Sequence, residues 1–278
     1  MERIKIKAAT LVEALPYIRK FHGKVVVIKY GGKVMTSEEA QRSAMTDIVL
    51  LKHVGLNPVV VHGGGPEITR RMKERRVRPR FVNGLRVTDA RTIKIVRESF
   101  EEINGRIEGF LNKSGGKAIG LVAGRNTLFR VSPLERTLGY VGRIEHVESR
   151  AIRALIGDNY IPVVSPLGMD EGGRLYNINA DTAATHLAEA LRAEKLTLMT
   201  DVDGVIIDGE QVRHLTIRRA RDLIRRGKIT EGMIPKVEAA VHSVRAGVRK
   251  AHLINGTVVH GLLLEIFTRK GIGTEIVK

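Results

Sequence analysis

The stretch Val25-Val26-Val27-Ile28-Lys29-Tyr30-Gly31-Gly32-Lys33 decides how this chain is read. Four consecutive β-branched residues with no polar alternation read as a strand buried on both faces. Lys29 closes the run, and an ammonium group cannot sit unpaired in an apolar core. It must point toward the end of the sheet, where open α/β sheets take their ligands. Gly31 and Gly32 follow, and without a Cβ the backbone there can take φ > 0 and approach a ligand closely. A strand, a charge and a bare backbone together describe an anion site. The other reading is an ordinary strand-to-helix turn with a solvent-facing lysine.

A second stretch repeats the pattern. Pro58-Val59-Val60-Val61-His62-Gly63-Gly64-Gly65-Pro66 is again a short apolar strand that runs into glycines, and Pro66 suits the first turn of a helix. Glycines before a helix start leave free N–H groups at a positive dipole end. Two such turns on neighbouring strands would face one crevice.

Strands alternate with helices nearly throughout, which predicts a mostly parallel sheet covered on both faces. Residues 9–21 carry Leu11, Leu15 and Ile18 on one helical stripe, with Pro16 expected to kink or shorten it. Thr36 and Glu39 fit a capping box for a helix over about 37–54. Further helices are predicted over 66–76, 89–112, 148–157, 180–193, 216–226, 235–247 and 259–267. Strands are predicted over 58–62, 117–122, 128–131, 161–164, 195–199 and 251–254, with a turn and short strand at 83–88 and a hairpin within 139–147. The Gly, Pro, Asn and Asp content of residues 165–180 marks the best lobe boundary.

Composition narrows the classes. The 278 residues suffice for one large α/β domain or two lobes, and 43% apolar content supports a packed core. No apolar run approaches the roughly 18 residues of a membrane span, and no signal-peptide core follows Met1. The absence of cysteine excludes disulfides and fits the cytoplasm. The net charge of +17 calls for an account. Its densest cluster, residues 70–80, is either a docking patch for an acidic partner or, the plainer reading, a solvated helix end. With only 4% aromatic residues, a base-stacking single-strand binder is disfavoured.

Several standard sites are missing. There is no Walker A loop and no G-x-G-x-x-G before a helix, and His62-Gly63-Gly64-Gly65 lacks the G-x-S-x-G elbow of esterases. No H-E-x-x-H and no paired cysteines suggest a bound zinc. His62 reads as a strand-end side chain with a backbone partner rather than a base. What remains is polar residues near strand ends. Arg86 could clamp a carboxylate in bidentate fashion or lie on the surface. Asp181, in Asn177-Ile178-Asn179-Ala180-Asp181-Thr182, is a helix cap or an orienter of lysines. Thr200-Asp201-Val202-Asp203-Gly204 is a plain turn or a nucleotide contact. Gly232-Met233-Ile234-Pro235-Lys236 sets Lys236 in the first turn of a helix, where a cation opposes the dipole unless it serves an anion.

With these motifs in this order, the sequence resembles the amino-acid kinase family over essentially its whole length. It looks most like the branch that acts on N-acetyl-L-glutamate. The match rests on Lys29–Gly32, His62–Pro66, Asn83–Thr88, Asn177–Thr185 and Gly232–Lys236. The resemblance implies an αβα three-layer sandwich of the carbamate kinase-like type. It implies an N-terminal oligomerisation helix (1–22), an acyl-amino-acid-binding lobe (23–175) and an ATP-binding lobe (176–278). The implied reaction moves the γ-phosphoryl of ATP, with Mg²⁺ carried by the nucleotide, to the side-chain carboxylate of N-acetyl-L-glutamate in arginine synthesis. Lys29 and Lys236 would then stabilise the transferring group and Asp181 would organise them. Gly63, Gly64, Arg86 and Asn177 would hold the acceptor. Gly31, Gly32, Thr200, Asp201, Asp203, Gly204 and Met233 would meet the nucleotide.

Arginine-inhibited members of the family have an extra N-terminal helix and a C-terminal segment like residues 260–274. The resemblance therefore implies a hexamer, a trimer of dimers, inhibited by L-arginine, with Tyr17, His252, Glu265 and Gly273 as candidate contacts. Some members also answer to a nitrogen-signalling protein, which the 70–80 cluster could serve. Two rivals stay open. One is a sister kinase for N-acetyl-aminoadipate or a carrier-bound amino acid, since one methylene is worth only about 1–3 kcal/mol. The other is a nucleic-acid or acidic-protein binder using residues 70–80.

Overall fold

The structure is a computed structural model and describes residues 2–124, 127–230 and 232–278. The chain begins with α1 (Glu2–Phe21), β1 (Val25–Tyr30), α2 (Glu38–His53), β2 (Asn57–His62) and α3 (Gly65–Glu74). A small hairpin of β3 (Phe81–Val82) and β4 (Leu85–Arg86) leads to α4 (Ala90–Lys113). Then come β5 (Ala118–Leu121), β6 (Phe129–Pro133), β7 (Gly142–Val147), α5 (Ser149–Gly157), β8 (Ile161–Val164), β9 (Leu167–Met169) and β10 (Leu175–Asn177). The second half holds α6 (Ala180–Leu191), β11 (Lys195–Thr200), β12 (Val205–Ile207), β13 (Glu210–Val212), β14 (His214–Thr216) and α7 (Ile217–Arg225). It ends with α8 (Ile234–Arg245), β15 (Lys250–Asn255), α9 (Gly261–Phe267) and β16 (Thr274–Val277).

Eight strands form the central sheet in the order β14-β16-β15-β11-β1-β2-β8-β5. Six run parallel, while β16 pairs antiparallel with β15 and carries β14 beside it. The period of two along β1 sorts its side chains between two cores. Val27 joins the core shared with α6 and α8, and Val26, Ile28 and Tyr30 join the one shared with α2, α4 and α9. The result is the expected αβα layering. A second sheet, β10-β9-β6-β7, packs against the α6 side. The Gly- and Pro-rich stretch after residue 165 supplies two of its strands, paired as a hairpin.

Some local expectations need correction. Thr36 does not cap α2. Residues Gly32–Thr36 form a 3-10 turn, and Ser37 takes the cap, its side chain accepting from the Ala40 N–H. The extra turn between strand and helix moves the helix start by one residue. Pro16 neither ends nor shortens α1, which continues to Phe21. The carbonyl that a residue-16 N–H would have met belongs to Val12, a residue 67% exposed, where water can take its place. The Leu11 side chain lies outside the described residues. Leu15 is half exposed rather than buried on this chain. Gly31 is extended, at φ −178, so Gly32 alone, at φ +71, needs the left-handed freedom expected of both. The three-residue strands β12, β13 and β14, and β16 after α9, are additions that the sequence pattern did not signal.

Asp89 was the expected opening of the long helix, and its carboxylate accepts from the Arg91 and Thr92 N–H groups. Asp89→Ala removes both bonds. It is expected to cost about 1–2 kcal/mol, read as a lower urea midpoint at unchanged slope.

Candidate active site

The register of β1 aims Lys29 at α6, because it shares a face with Val25 and Val27. Lys29 is 9% exposed, and its Nζ lies 3.0 Å from Asp181 Oδ1, a charge contact without hydrogen-bond alignment. Asp181 is free for this because it does not cap its helix. Asn179 does, accepting from the Asp181 and Thr182 N–H groups at 2.9 and 3.1 Å.

The two glycine turns meet beside this pair. Gly63 N–H donates to Tyr30 O at 2.7 Å. A Cβ on Gly31 would lie 3.1 Å from Lys29 Nζ and 3.6 Å from Gly63 Cα. A Cβ on Gly64 would lie 2.6 Å from Phe100 Cε1, so close packing, not left-handed backbone, requires glycine there. The N–H groups of Gly64 and Gly65 at the start of α3 donate to nothing among the described residues. They and the helix dipole present positive charge to a cleft of about 270 Å³.

Arg86 stands across this cleft at the end of the β3–β4 hairpin. It is 7% exposed, donates to Gly65 O at 3.0 Å and Thr69 Oγ1 at 2.8 Å, and stacks 4.7 Å from the Phe81 ring centre. Burial pushes its pKa down, and no carboxylate faces it among the described residues. A buried guanidinium without an anion partner is costly unless a ligand supplies one. Asn177, whose Nδ2 reaches Thr88 Oγ1 at 3.4 Å, lines the same cleft, as do Lys29, Gly32, Gly63, Gly64 and Asp181.

Lys236 lies outside the Lys29 cleft, in a neighbouring one. It is half-buried in the first turn of α8 and has no carboxylate partner among the described residues. It lines a cleft of about 340 Å³ together with Asp201, Gly204, Ile206, Ile229 and Met233. A groove of about 980 Å³ touches both Asp181 and Lys236 and so joins the two clefts. Thr200 and Asp203 stay out of these linings. The Thr200 hydroxyl bonds Val202 within its own turn, and Asp203 accepts from Asn255 Nδ2 at 2.8 Å. No group of three His, Asp or Glu side chains is placed to hold a metal among the described residues. A larger groove of about 1110 Å³ between α7 and α8 contains neither glycine turn.

His252, Glu265 and Gly273 gather elsewhere, on the α9 side. Glu265 pairs with His252 and accepts from Ile272 N–H at 2.8 Å and Gly273 N–H at 3.0 Å. Burial alone would raise Glu265, but His252 and Lys195 outweigh it and hold the carboxyl at about 2. Tyr17 packs half-buried against the core of that side. In the basic cluster, Arg70 and Arg71 bind Glu67, and Arg71 and Arg75 reach Glu102 and Glu98 on α4. The plainer reading of residues 70–80 thus accounts for three of its arginines. Sequence reasoning missed Asn179. It also missed the buried partners of His62 on α4 and after β8, which lie far away in the chain and belong to no motif.

The architecture and the clefts mark a class first: an α/β protein with cations and free amides gathered near its strand ends. Residues 24–255 match the Amino acid kinase family, and the chain belongs to that family and is a kinase. Its relatives include the acetylglutamate kinase of Methanocaldococcus jannaschii, 48% identical over 98% of this chain and 96% of that one. The acetylglutamate kinase of Caldanaerobacter subterraneus subsp. tengcongensis is 47% identical over 98% and 94%. Among solved structures, the N-acetylglutamate synthase of Neisseria gonorrhoeae, complexed with coenzyme A and N-acetyl-glutamate, is similar at TM-score 0.89 and 28% identity. That likeness covers 98% of this chain but only 63% of the synthase. Carbamate kinase from Giardia lamblia shares the fold at TM-score 0.72 and 18% identity, over 92% of this chain and 99% of its own.

Two outcomes are expected here. Gly64→Ala forces a methyl group against Phe100 and should destabilise by about 1–3 kcal/mol, with Phe100→Leu in the same chain recovering most of the loss in thermal unfolding. Hydrogen bonds from Arg70, then Arg71, against the upward pull of burial, hold Glu67 at about 2 rather than 4.5. Its folded value is depressed, so its stabilisation is present above pH 4.5 and is lost as pH falls toward 2. Glu67→Gln should flatten the acid loss of stability across that window.

Proposed function

We propose that this chain transfers the γ-phosphoryl group of ATP to the side-chain carboxylate of N-acetyl-L-glutamate, a step of arginine biosynthesis. The observation that carries the reading is Arg86, a buried guanidinium with no carboxylate opposite it among the described residues, across the cleft from the free Gly64 and Gly65 N–H groups. Acetylglutamate kinases 44–48% identical over nearly the whole chain support the choice of acceptor.

The acceptor carboxylate is already ionised at neutral pH, so no general base is needed. One of its oxygens attacks the γ-phosphorus, the bond from that phosphorus to the β,γ-bridging oxygen breaks, and ADP leaves with the electron pair. The obstacle is repulsion between two anions, so catalysis consists of positioning and charge stabilisation. Lys29 and Lys236 flank the migrating group from the two clefts, and Asp181 holds them in register. Arg86 and Asn177 hold the acceptor, with the Gly64 N–H donating to it and Gly63, whose own N–H is taken by Tyr30 O, leaving it room as part of the cleft wall. Gly31 and Gly32 let the phosphates approach β1. Asp201, Gly204 and Met233 line the nucleotide cleft, with Thr200 and Asp203 shaping the turn behind it. Mg²⁺ enters with the nucleotide and offsets part of its charge.

We further propose that the enzyme is a hexamer inhibited by L-arginine. Val12 and Leu15 leave an apolar stripe of α1 exposed on the isolated chain, as a helix that packs on another subunit would. Glu265 offers a buried carboxylate for a guanidinium, and Lys195, 4% exposed nearby, offers a cation for an α-carboxylate. A related synthase is known in complex with coenzyme A and L-arginine. Tyr17, His252 and Gly273 complete this candidate site.

The test is ATP turnover with N-acetyl-L-glutamate and, as control, N-acetyl-aminoadipate. Equal or better use of the longer acceptor would overturn the acceptor assignment. Lys29→Ala or Lys236→Ala should each lower kcat by about 10²–10³, and Arg86→Ala should chiefly raise KM for the acceptor. A dimer in solution whose activity ignores arginine would dismiss the regulatory part.

A further inference from the structure

His62 is fully buried, and the mechanism above leaves its imidazole unused. Its Nδ1 lies 2.8 Å from the carbonyl oxygen of Gly63, and its Nε2 lies 2.9 Å from Ser165 Oγ. A carbonyl can only accept, so Nδ1 carries the hydrogen and Nε2 is bare. The Ser165 hydroxyl therefore donates to Nε2. Asn104 Nδ2 in turn donates to Ser165 Oγ at 3.1 Å and to Val163 O at 2.9 Å, and it lies 3.3 Å from His62 Nε2. Asn104 and Ser165 are each 2% exposed. The direction of every hydrogen bond in this relay follows from its acceptor end.

The surroundings leave the relay no room to relax. A Cβ on Gly120 would stand 2.0 Å from Asn104 Oδ1. Phe100 packs edge-on to the imidazole, with ring centres 5.4 Å apart. The relay ties together α4 and the ends of β2 and β8, with β5 closing over it. Burial, the largest influence, pushes the imidazole down to about 4, so it stays neutral at ordinary pH and keeps its one N–H on Nδ1.

The consequence falls on one peptide group. The Gly63–Gly64 bond is trans, so its C=O and N–H point in opposite directions. Holding Gly63 O against His62 turns the Gly64 N–H away from the imidazole, toward the cleft that Gly63, Gly64 and Arg86 line. We propose that His62, Ser165 and Asn104 are positioning residues for phosphoryl transfer, which hold the Gly63–Gly64 peptide with its N–H aimed at the charge in the cleft. The inference rests on the function proposed above for the choice of assay.

Ser165→Ala and Asn104→Leu break the relay without touching the cleft. Each should lower kcat about tenfold to a hundredfold, as small misplacements at a reacting centre do, while KM for ATP stays at the wild-type value. His62→Asn keeps an amide donor near the Nδ1 position and should retain at least about tenfold more activity than His62→Leu, consistent with one hydrogen bond. Its pH profile should match the wild type, since a neutral imidazole contributes no titration. Lower thermal stability with unchanged kcat in Ser165→Ala and Asn104→Leu would overturn the proposal, as would His62→Asn no better than His62→Leu. A wild type that does not phosphorylate N-acetyl-L-glutamate would sink the proposed function alone. The positioning role is then read from the Gly64 amide resonance of the glycine-labelled full chain. That resonance must move in Ser165→Ala and in Asn104→Leu, and an unmoved one overturns the inference independently of turnover.

Discussion

Lys29 and Asp181 meet at 3.0 Å where the central strand ends and α6 begins, and the rest of the site depends on that meeting. A cation at the end of a buried strand is tolerable only beside a counter-charge. The counter-charge must come from a helix start, because that is where the parallel fold brings the next element onto the sheet. Asn179 takes over the cap and leaves the Asp181 carboxylate for the lysine. The glycine turn after β1 can then lie against the glycine turn after β2, with Gly31 and Gly63 in near contact. Each step is local, and each would be pointless without the one before it.

The charge of the molecule is handled in two ways. Around α3 and α4, Arg70, Arg71 and Arg75 are matched with glutamates, so half of the arginines in the dense run enter ion pairs at or near the surface, the exposed ones each worth little alone. In the clefts Lys29 is matched by Asp181, but Arg86 and Lys236 have no carboxylate partner among the described residues. A net charge of +17 is therefore a poor guide to function by itself. What sets Arg86 apart from the solvated face of α3 is burial without a carboxylate partner among the described residues.

Much of this was legible in the chain. Lys29, the two glycine turns and the Asp89 cap stand out by local pattern, while Lys29 and Arg86 each stay open between a site and a surface residue until the fold shows both buried. The motif order carried the family. Less visible were features set by space rather than by neighbours in sequence. Asn104 and Ser165 look like ordinary polar residues in a helix and after a strand, and only the packing of β2, β8 and α4 brings them to His62. Thr36 and Ser37 are both sound caps by composition, and the 3-10 turn between strand and helix chose the second. Strands of three residues such as β12 and β13 bury too little to leave a periodic trace. Gly64 reads in sequence only as a source of a free N–H, and the Phe100 ring that forbids a side chain there is visible only in the fold.

The reversed strand β16 has a structural cost attached to it. Among the described residues β14 pairs with β16 alone in the sheet, and β15 has β16 as its outer neighbour. Glu275 on β16 also pairs with Lys250 and with His214. Trimming residues 274–277 would therefore not shorten a loose tail. It would orphan one strand, bare the backbone of another and unseat two basic side chains at once. A reporter or affinity handle fused after Lys278 would in turn leave the molecule from a sheet margin, directly beside the α7–α8 groove.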